Sequence, residues 1–263
     1  MKSTFRVIMG PCAIESMEHA MLMSRFVADL QRKLHIEGFD IELIYKSCFN
    51  KANRTSAQAF HGVGMGRGLE ILQWVKDHTG LRVTSDIHTV EEAEATGEVV
   101  DIIQIPHSLS RYTFILQAAA ATGKSISVKK GLFMAPEDVS KVIDKIRLTG
   151  NTEEIILVER GTSFGYNDVV VDMRTFKKWK RIVAPLGGGV STCIDATHPA
   201  LSSLYAPDLA RAGVAAGADM VFIEVHDRPH EALCDGPCSI DNRCVESLVR
   251  ELYILNRIVG GTK

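Results

Sequence analysis

Within eleven residues the chain places Lys46, Lys51, Asn53, Arg54, Thr55 and Ser56, and no Asp or Glu occurs between Ile44 and Leu69. Three cations among short hydrogen-bonding side chains point to an anion. Lysine meets phosphate or carboxylate as a point charge, and arginine grips it as a planar fork. A solvated loop explains any one of these residues, but not the missing counter-charge. Lys129 and Arg160 follow other apolar runs, with Arg111 as a further cation. Together they exceed what one phosphate needs. Two phosphates, or a phosphate and a carboxylate, are the expected load.

A second set mixes thiol, imidazole and carboxylate: Cys12, His198, Glu224 and Asp235. Such donors suit a first-row divalent ion (zinc, iron or manganese) better than magnesium or calcium. Their spacing makes no compact ligand motif, and His107, His226 and His230 stay open as alternatives. Lone cysteines are ordinarily small core residues, and Cys48, Cys193, Cys238 and Cys244 are read that way. Lysine offers a rival chemistry. Lys129 or Lys130, with a lowered pKa, would form a Schiff base with a carbonyl substrate. Neighbouring substrate anions would instead keep Lys129 as a charge.

These residues need a frame that gathers distant parts of the chain. Apolar, β-favouring runs lie at 6–9, 41–46, 81–85, 99–105, 125–128, 155–158, 190–194 and 220–225. Between them come helix-like stretches at 17–34, 68–78, 90–96, 116–121, 136–148, 207–216 and 246–259. Gly80 closes a helix and Pro136 opens one. Residues 177–189, ending in three glycines, read as a spacer. Eight strands alternating with helices predict a (β/α)8 TIM barrel, one domain over residues 1–263. An open doubly wound sheet is the alternative, but the chain has no glycine-rich dinucleotide turn after its first strand. In a barrel, Cys12, Lys46, Asp86, Gln104, Lys129, Arg160, His198 and Glu224 all fall at C-terminal strand ends. Those ends converge on the face where active sites are built.

The bulk composition narrows the class. The 263 residues are 46% hydrophobic, with net charge -2 and pI near 6.5, so no overall field favours nucleic acid or an anionic membrane. No apolar run approaches the ~20 residues of a membrane span, and MKSTFRVIMG lacks a secretory signal's apolar core. A cytoplasmic protein is expected, with its six cysteines as free thiols. Cys234 and Cys238 have no second pair at zinc-finger spacing.

Eight runs follow one another along nearly the whole chain: GPCAIES (10–16), KANRTS (51–56), TSDIH (84–88), DIIQIP (101–106), VKKG (128–131), ERGTSFGYN (159–167), DATH (195–198) and FIEVH (222–226). In this order they resemble the 3-deoxy-D-manno-octulosonate 8-phosphate synthases. These are barrel enzymes of a superfamily that condenses phosphoenolpyruvate with aldose phosphates. KANRTS is the specific run, because the heptulosonate relatives are expected to carry proline in place of Ala52 and Asn53. The resemblance implies that Lys46, Lys51, Gln104, Lys129 and Arg160 hold phosphoenolpyruvate. It assigns Asn53, Arg54 and Ser56 to arabinose 5-phosphate, and has Arg111 reach that sugar's phosphate from a neighbouring subunit of a homotetramer. Cysteine rather than asparagine at position 12 implies the metal-dependent branch, with His198, Glu224 and Asp235 as the other ligands.

The implied chemistry is attack of phosphoenolpyruvate C3 on the sugar aldehyde, water addition at C2 and loss of phosphate by C–O cleavage. Lys51, Asp86 and His198 are the candidate proton carriers. Three departures bear on the acceptor. Residues 199–205 are short and free of glycine where the family carries a long glycine-rich loop. Tyr112 and Thr113 follow Arg111 in place of Gln-Thr, and the 177–189 spacer is longer than the family's. A homologue using another aldose phosphate, or an anion-binding paralogue without turnover, are the alternatives.

Overall fold

The computed structural model describes residues 4–54, 56–186 and 188–260. Thr55, one of the expected hydrogen bonders, and Gly187, the first of the three glycines, lie outside them. The barrel strands are β1 (Phe5–Gly10), β2 (Ile41–Lys46), β3 (Val83–Asp86), β4 (Ile102–Ile105), β5 (Ser125–Lys129), β6 (Ile155–Glu159), β7 (Val190–Asp195) and β8 (Met220–His226). Each pairs in parallel with the next. The ring closes where β1 meets β8, from Arg6 opposite Met220 to Gly10 opposite Glu224.

Strand alternation divides the core in two. Ile8, Ile44, Ile102, Ile156, Val158, Cys193, Met220 and Phe222 form a buried cluster inside the barrel. Their neighbours, among them Val7, Leu43, Ile103, Ile126, Leu157, Val221 and Ile223, join the larger core under the helices. With both faces buried, the strands read as nearly continuous apolar runs. That continuity made them legible.

The helices are α1 (Met17–Ile36), α2 (Met65–Thr79), α3 (Glu91–Val99), α4 (Thr113–Ala121), α5 (Val139–Arg147), α6 (Thr175–Val183), α7 (Ala206–Ala216) and α8 (Asn242–Gly260). Ser16 caps α1 by accepting the His19 N–H at 3.1 Å, which satisfies a donor that has no partner within the helix. Pro136 opens a 3-10 turn, Pro136–Asp138, ahead of α5.

Two sequence readings are corrected. The expected spacer holds most of α6: Phe176 and Trp179 are buried on one side, and the Trp179 indole donates to the Pro136 carbonyl at 2.8 Å. The dense Lys and Arg of FKKWKR obscured a helix whose apolar face is only a few residues wide. Strand β4 begins at Ile102 because residues 99–101 finish α3 and turn. There Lys76 Nζ bonds the Val99 carbonyl at 2.8 Å and Asp101 at 2.9 Å. No described helix is long and apolar enough to cross a membrane.

Candidate active site

The C-terminal ends of the strands deliver the chemistry. Gly10 ends β1, and a Cβ there would lie 2.2 Å from the Lys46 carbonyl oxygen. Glycine therefore lets β1 and β2 approach closely at site level. Lys46, buried with its Nζ 3.0 Å from the Cys12 carbonyl and 3.3 Å from Glu224 Oε1, points inward. The chain then makes a long loop, 47–64, held at its base by Lys51 N–H donating to the His61 carbonyl at 2.8 Å. This loop carries Lys51, Asn53 and Arg54 over the barrel mouth.

Asp86 ends β3 and gathers three donors. Gln104 donates to Oδ1, the Cys48 thiol to Oδ2 at 3.0 Å, and Lys51 Nζ stands 3.8 Å away. Burial pushes the Asp86 carboxyl up, but the ammonium groups of Lys46, Lys51 and Lys129 prevail and hold it well below the usual carboxylate range. Asp86 is thereby better suited to fix Lys51 than to hand over a proton. Cys48, read from sequence as a bystander, is one of its donors.

A second carboxylate, Asp195 at the end of β7, accepts from Lys129 Nζ at 2.9 Å and lies 2.8 Å from His198 Nδ1. Burial raises Asp195 too, and His198 and Lys129 more than reverse it. With Nδ1 turned to Asp195, His198 Nε2 faces Glu224 Oε1 at 3.4 Å. This carboxylate–imidazole arrangement orients a histidine that ligates through its other nitrogen. Ligand atoms of His198, Glu224 and Asp235 lie within 4.8 Å of one another, and so do those of Cys12, Cys234 and Asp235. Asp235 joins the two groups, its Oδ2 2.8 Å from Cys12 Sγ. Glu224 Oε2 is buried without a hydrogen-bond partner among the described residues. The four expected ligands thus fall in two three-residue groups that share Asp235, with soft and hard donors adjacent and one buried oxygen unsatisfied. That fits a divalent first-row ion.

The structure adds Cys234 to this place. Its Sγ lies 3.1 Å from Cys12 Sγ and accepts from Arg54 Nη1 at 2.7 Å. Being next to Asp235 in sequence was the available clue. Asp195 was equally visible by the strand-end rule. The loop after β8 that carries Cys234 and Asp235 is tied down by Glu15, which accepts the Leu233 N–H at 2.8 Å and faces His226 Nε2 at 3.2 Å.

These groups surround a cavity of about 350 Å³ lined by Lys51, Asn53, Arg54, Asp86, Pro106, His107, Lys129, Arg160, His198, Cys234 and Asp235. Cys12, Lys46, Gln104 and Glu224 are buried behind that lining. His107 brings a neutral imidazole, its pKa pushed down to about 4 by burial and by Arg160 and Lys129. Ser56 and Arg111 are exposed and outside the cavity, Arg111 stacking 6.0 Å above the Phe133 ring. The charge balance also differs from the sequence reading. Lys46, Lys51, Arg54 and Lys129 each stand within 4 Å of a carboxylate. Those acids arrive from other strands and the last loop, which the local count around Lys51 missed. Arg160 alone of the five makes no ion pair or hydrogen bond among the described residues, and its Nε is buried without a partner.

Each lysine considered for a Schiff base already has a partner. Lys129 is engaged by Asp195. Lys130 Nζ is buried outside the cavity lining, on the Gly161 carbonyl at 2.8 Å.

Fold and site together define a (β/α)8 protein with a polar cavity, lined by lysine, arginine, histidine and aspartate, at the C-terminal face. The profile of the DAHP synthetase I family matches residues 2–256, and the chain belongs to that family. It is 44% identical to a 2-dehydro-3-deoxyphosphooctonate aldolase of Geobacter sp. (strain M21), over 97% of this chain and 93% of that one. Proteins of the same name from Trichlorobacter lovleyi and Nitratidesulfovibrio vulgaris are 42% and 43% identical, over 96% and 95% of this chain and 93% and 91% of theirs.

Proposed function

We propose that the protein condenses phosphoenolpyruvate with arabinose 5-phosphate and water, yielding 3-deoxy-D-manno-octulosonate 8-phosphate and inorganic phosphate. The carrying observation is the cavity at the strand ends, where Lys51, Arg54, Lys129 and Arg160 converge beside His198 and Asp235. Relatives named for this octulosonate phosphate cover nearly the whole chain.

In this reading Arg160, the cation without a protein partner, takes the phosphate of phosphoenolpyruvate, with Lys129 beside it. Lys46, Lys51 and Gln104 set the floor on which its carboxylate and enol carbons rest. The C3 carbon attacks the aldehyde carbon of the sugar and forms the new C–C bond. Water adds its oxygen at C2, the C2–O bond to phosphate breaks and inorganic phosphate leaves. The aldehyde oxygen takes up a proton and stays on the product as a hydroxyl; the protons given up by the water balance that uptake and the charge on the phosphate. Fixed ammonium and guanidinium groups stabilise the charge that moves onto these oxygens. Asn53 and Arg54 face the sugar phosphate from the cavity lining, and Ser56, exposed on the same loop outside the lining, is the third residue of this reading.

Cys12, His198, Glu224 and Asp235 would hold a divalent ion, zinc, iron or manganese, which supplies Lewis acidity toward an aldehyde or water. A homotetramer in the cytoplasm belongs to the same reading, with Arg111, outside its own cavity, serving a neighbour's sugar phosphate. The loop after β7 bears on the acceptor. It is not a free lid, because Ser203 N–H donates to the Pro237 carbonyl at 2.8 Å and docks it on the loop after β8.

The test is phosphate release from phosphoenolpyruvate with a panel of aldose phosphates. Release with arabinose 5-phosphate alone is the expected result. Release only with a different acceptor moves the product, and no release with any acceptor leaves an anion-binding paralogue.

A further inference from the structure

Arg160 raises a question of mechanics: a buried guanidinium with no ion pair of its own must take its position from the backbone that carries it. That backbone is held at both polar groups of the next residue, on the peptide units that flank Gly161. Glu159 Oε1 accepts the Gly161 N–H at 2.6 Å, and Lys130 Nζ donates to the Gly161 carbonyl at 2.8 Å. Lys130 also reaches Thr162 Oγ1 at 3.2 Å, and its own N–H donates to the Val158 carbonyl at 2.8 Å. Lys130 and Glu159 pair with each other at 3.5 Å, and their side chains are each 1% exposed. Gly161 itself has φ 96°, and a Cβ there would lie 2.1 Å from Val169 Cγ1. The turn is therefore fixed by a buried ion pair and by a residue that only glycine fits.

We propose that Lys130 and Glu159 are positioning residues. They clamp the two peptide units that flank Gly161, Glu159 at the N–H and Lys130 at the carbonyl, so that Arg160 is presented to the phosphate of a substrate anion. The chemistry asks nothing else of this pair: neither residue lines the cavity. A buried ion pair is costly to desolvate and is weak support for stability on its own. Its place, bonded to the two peptide units that follow the unpartnered arginine, gives it a use. The proposal rests on the reading above only for the identity of the anion, phosphoenolpyruvate.

The experiment is calorimetric titration of phosphoenolpyruvate, and separately of inorganic phosphate, into the full-length wild type, Lys130→Met, Arg160→Ala and the double variant. Lys130→Met is expected to weaken binding of both anions about tenfold or more. In the Arg160→Ala background the same substitution should have no effect beyond about twofold, because the two residues then act as one unit. A loss that persists at about tenfold in the Arg160→Ala background overturns the clamp, since a general structural defect would not depend on Arg160. An unchanged affinity in Lys130→Met overturns it as well. Where Lys130→Met fails to fold, Lys130→Met/Glu159→Gln carries the test: it leaves no unpaired buried charge and keeps an acceptor for the Gly161 N–H. Binding of phosphate but not phosphoenolpyruvate, with the coupling to Arg160 intact, would sink the proposed function and leave the clamp standing.

Discussion

The two ends of the barrel handle charge in opposite ways. At the N-terminal end Arg6 makes two bonds of 2.6 Å to Glu154 and a third to Ser191 Oγ at 2.9 Å. Asp101 accepts the Val83 N–H at 2.8 Å and pairs with Lys76, and Asp219 accepts from Thr192 N–H and Oγ1. The charged side chains in these groups are partnered and keep part of their surface in water. At the C-terminal end the pairs Lys46–Glu224, Lys51–Asp86 and Lys129–Asp195 are buried, yet Gln104 Oε1, Arg160 Nε and Glu224 Oε2 have no hydrogen-bond partner among the described residues. A buried polar group left unsatisfied costs about 1–3 kcal/mol. The contrast teaches that the lower end is complete in itself, while the upper end is completed by what it binds.

That contrast can be broken by experiment. The largest expected effect lies at the ligand cluster. In the proposed metal enzyme, chelation lowers activity by about 100-fold or more, and Cys12→Asn folds normally but loses bound metal by elemental analysis. Full activity of the chelated protein would remove the ion from the mechanism. Next comes Arg160→Ala. Deleting a charge-assisted contact should raise the phosphoenolpyruvate KM about 10- to 100-fold. Because Arg160 has no protein partner to abandon, the thermal midpoint should stay level or rise. A fall of several degrees would show that Arg160 carries structure rather than ligand.

How far the sequence reached depended on the physics behind each element. Strands such as β2 and β6 are buried on both faces, so their apolar runs were plain, and the polar residue ending each run marked the site. Residues placed by a strand end, such as Asp86, Lys129 and Glu224, followed from the fold. Lys130 should have followed too, since consecutive strand residues point to opposite sides, and it lies away from the cavity while Lys129 lines it. Arg54 and Cys234 sit on loops that no periodicity governs. Their meeting at 2.7 Å depends on how two long connections fold over the barrel. The acids that neutralise Lys51 and Lys129 are remote in sequence from them, so a local charge count overstated the positive field.

The smallest effect sharpens the comparison from the other end. Glu154→Gln should cost about 2 kcal/mol by leaving Arg6 without its charged partner, lowering the thermal midpoint by about 4–8 °C. Turnover per folded molecule should be unchanged, because this pair lies at the opposite end of the barrel from the cavity. The penalty must also depend on pH. Burial pushes the Glu154 carboxyl up, but its bonds to Arg6 and Ser191 and the charge of Arg6 pull it lower, with the net direction down. A carboxyl lowered by folding contributes stability that is complete above its unfolded pKa, about 4.3, and is lost as pH falls through the folded value. The gap in midpoint between wild type and Glu154→Gln should therefore be constant from neutral pH to about 5 and close below about 4. A gap that stays open in acid would mean that the bond geometry at Arg6, and not the charge on Glu154, secures the lower end.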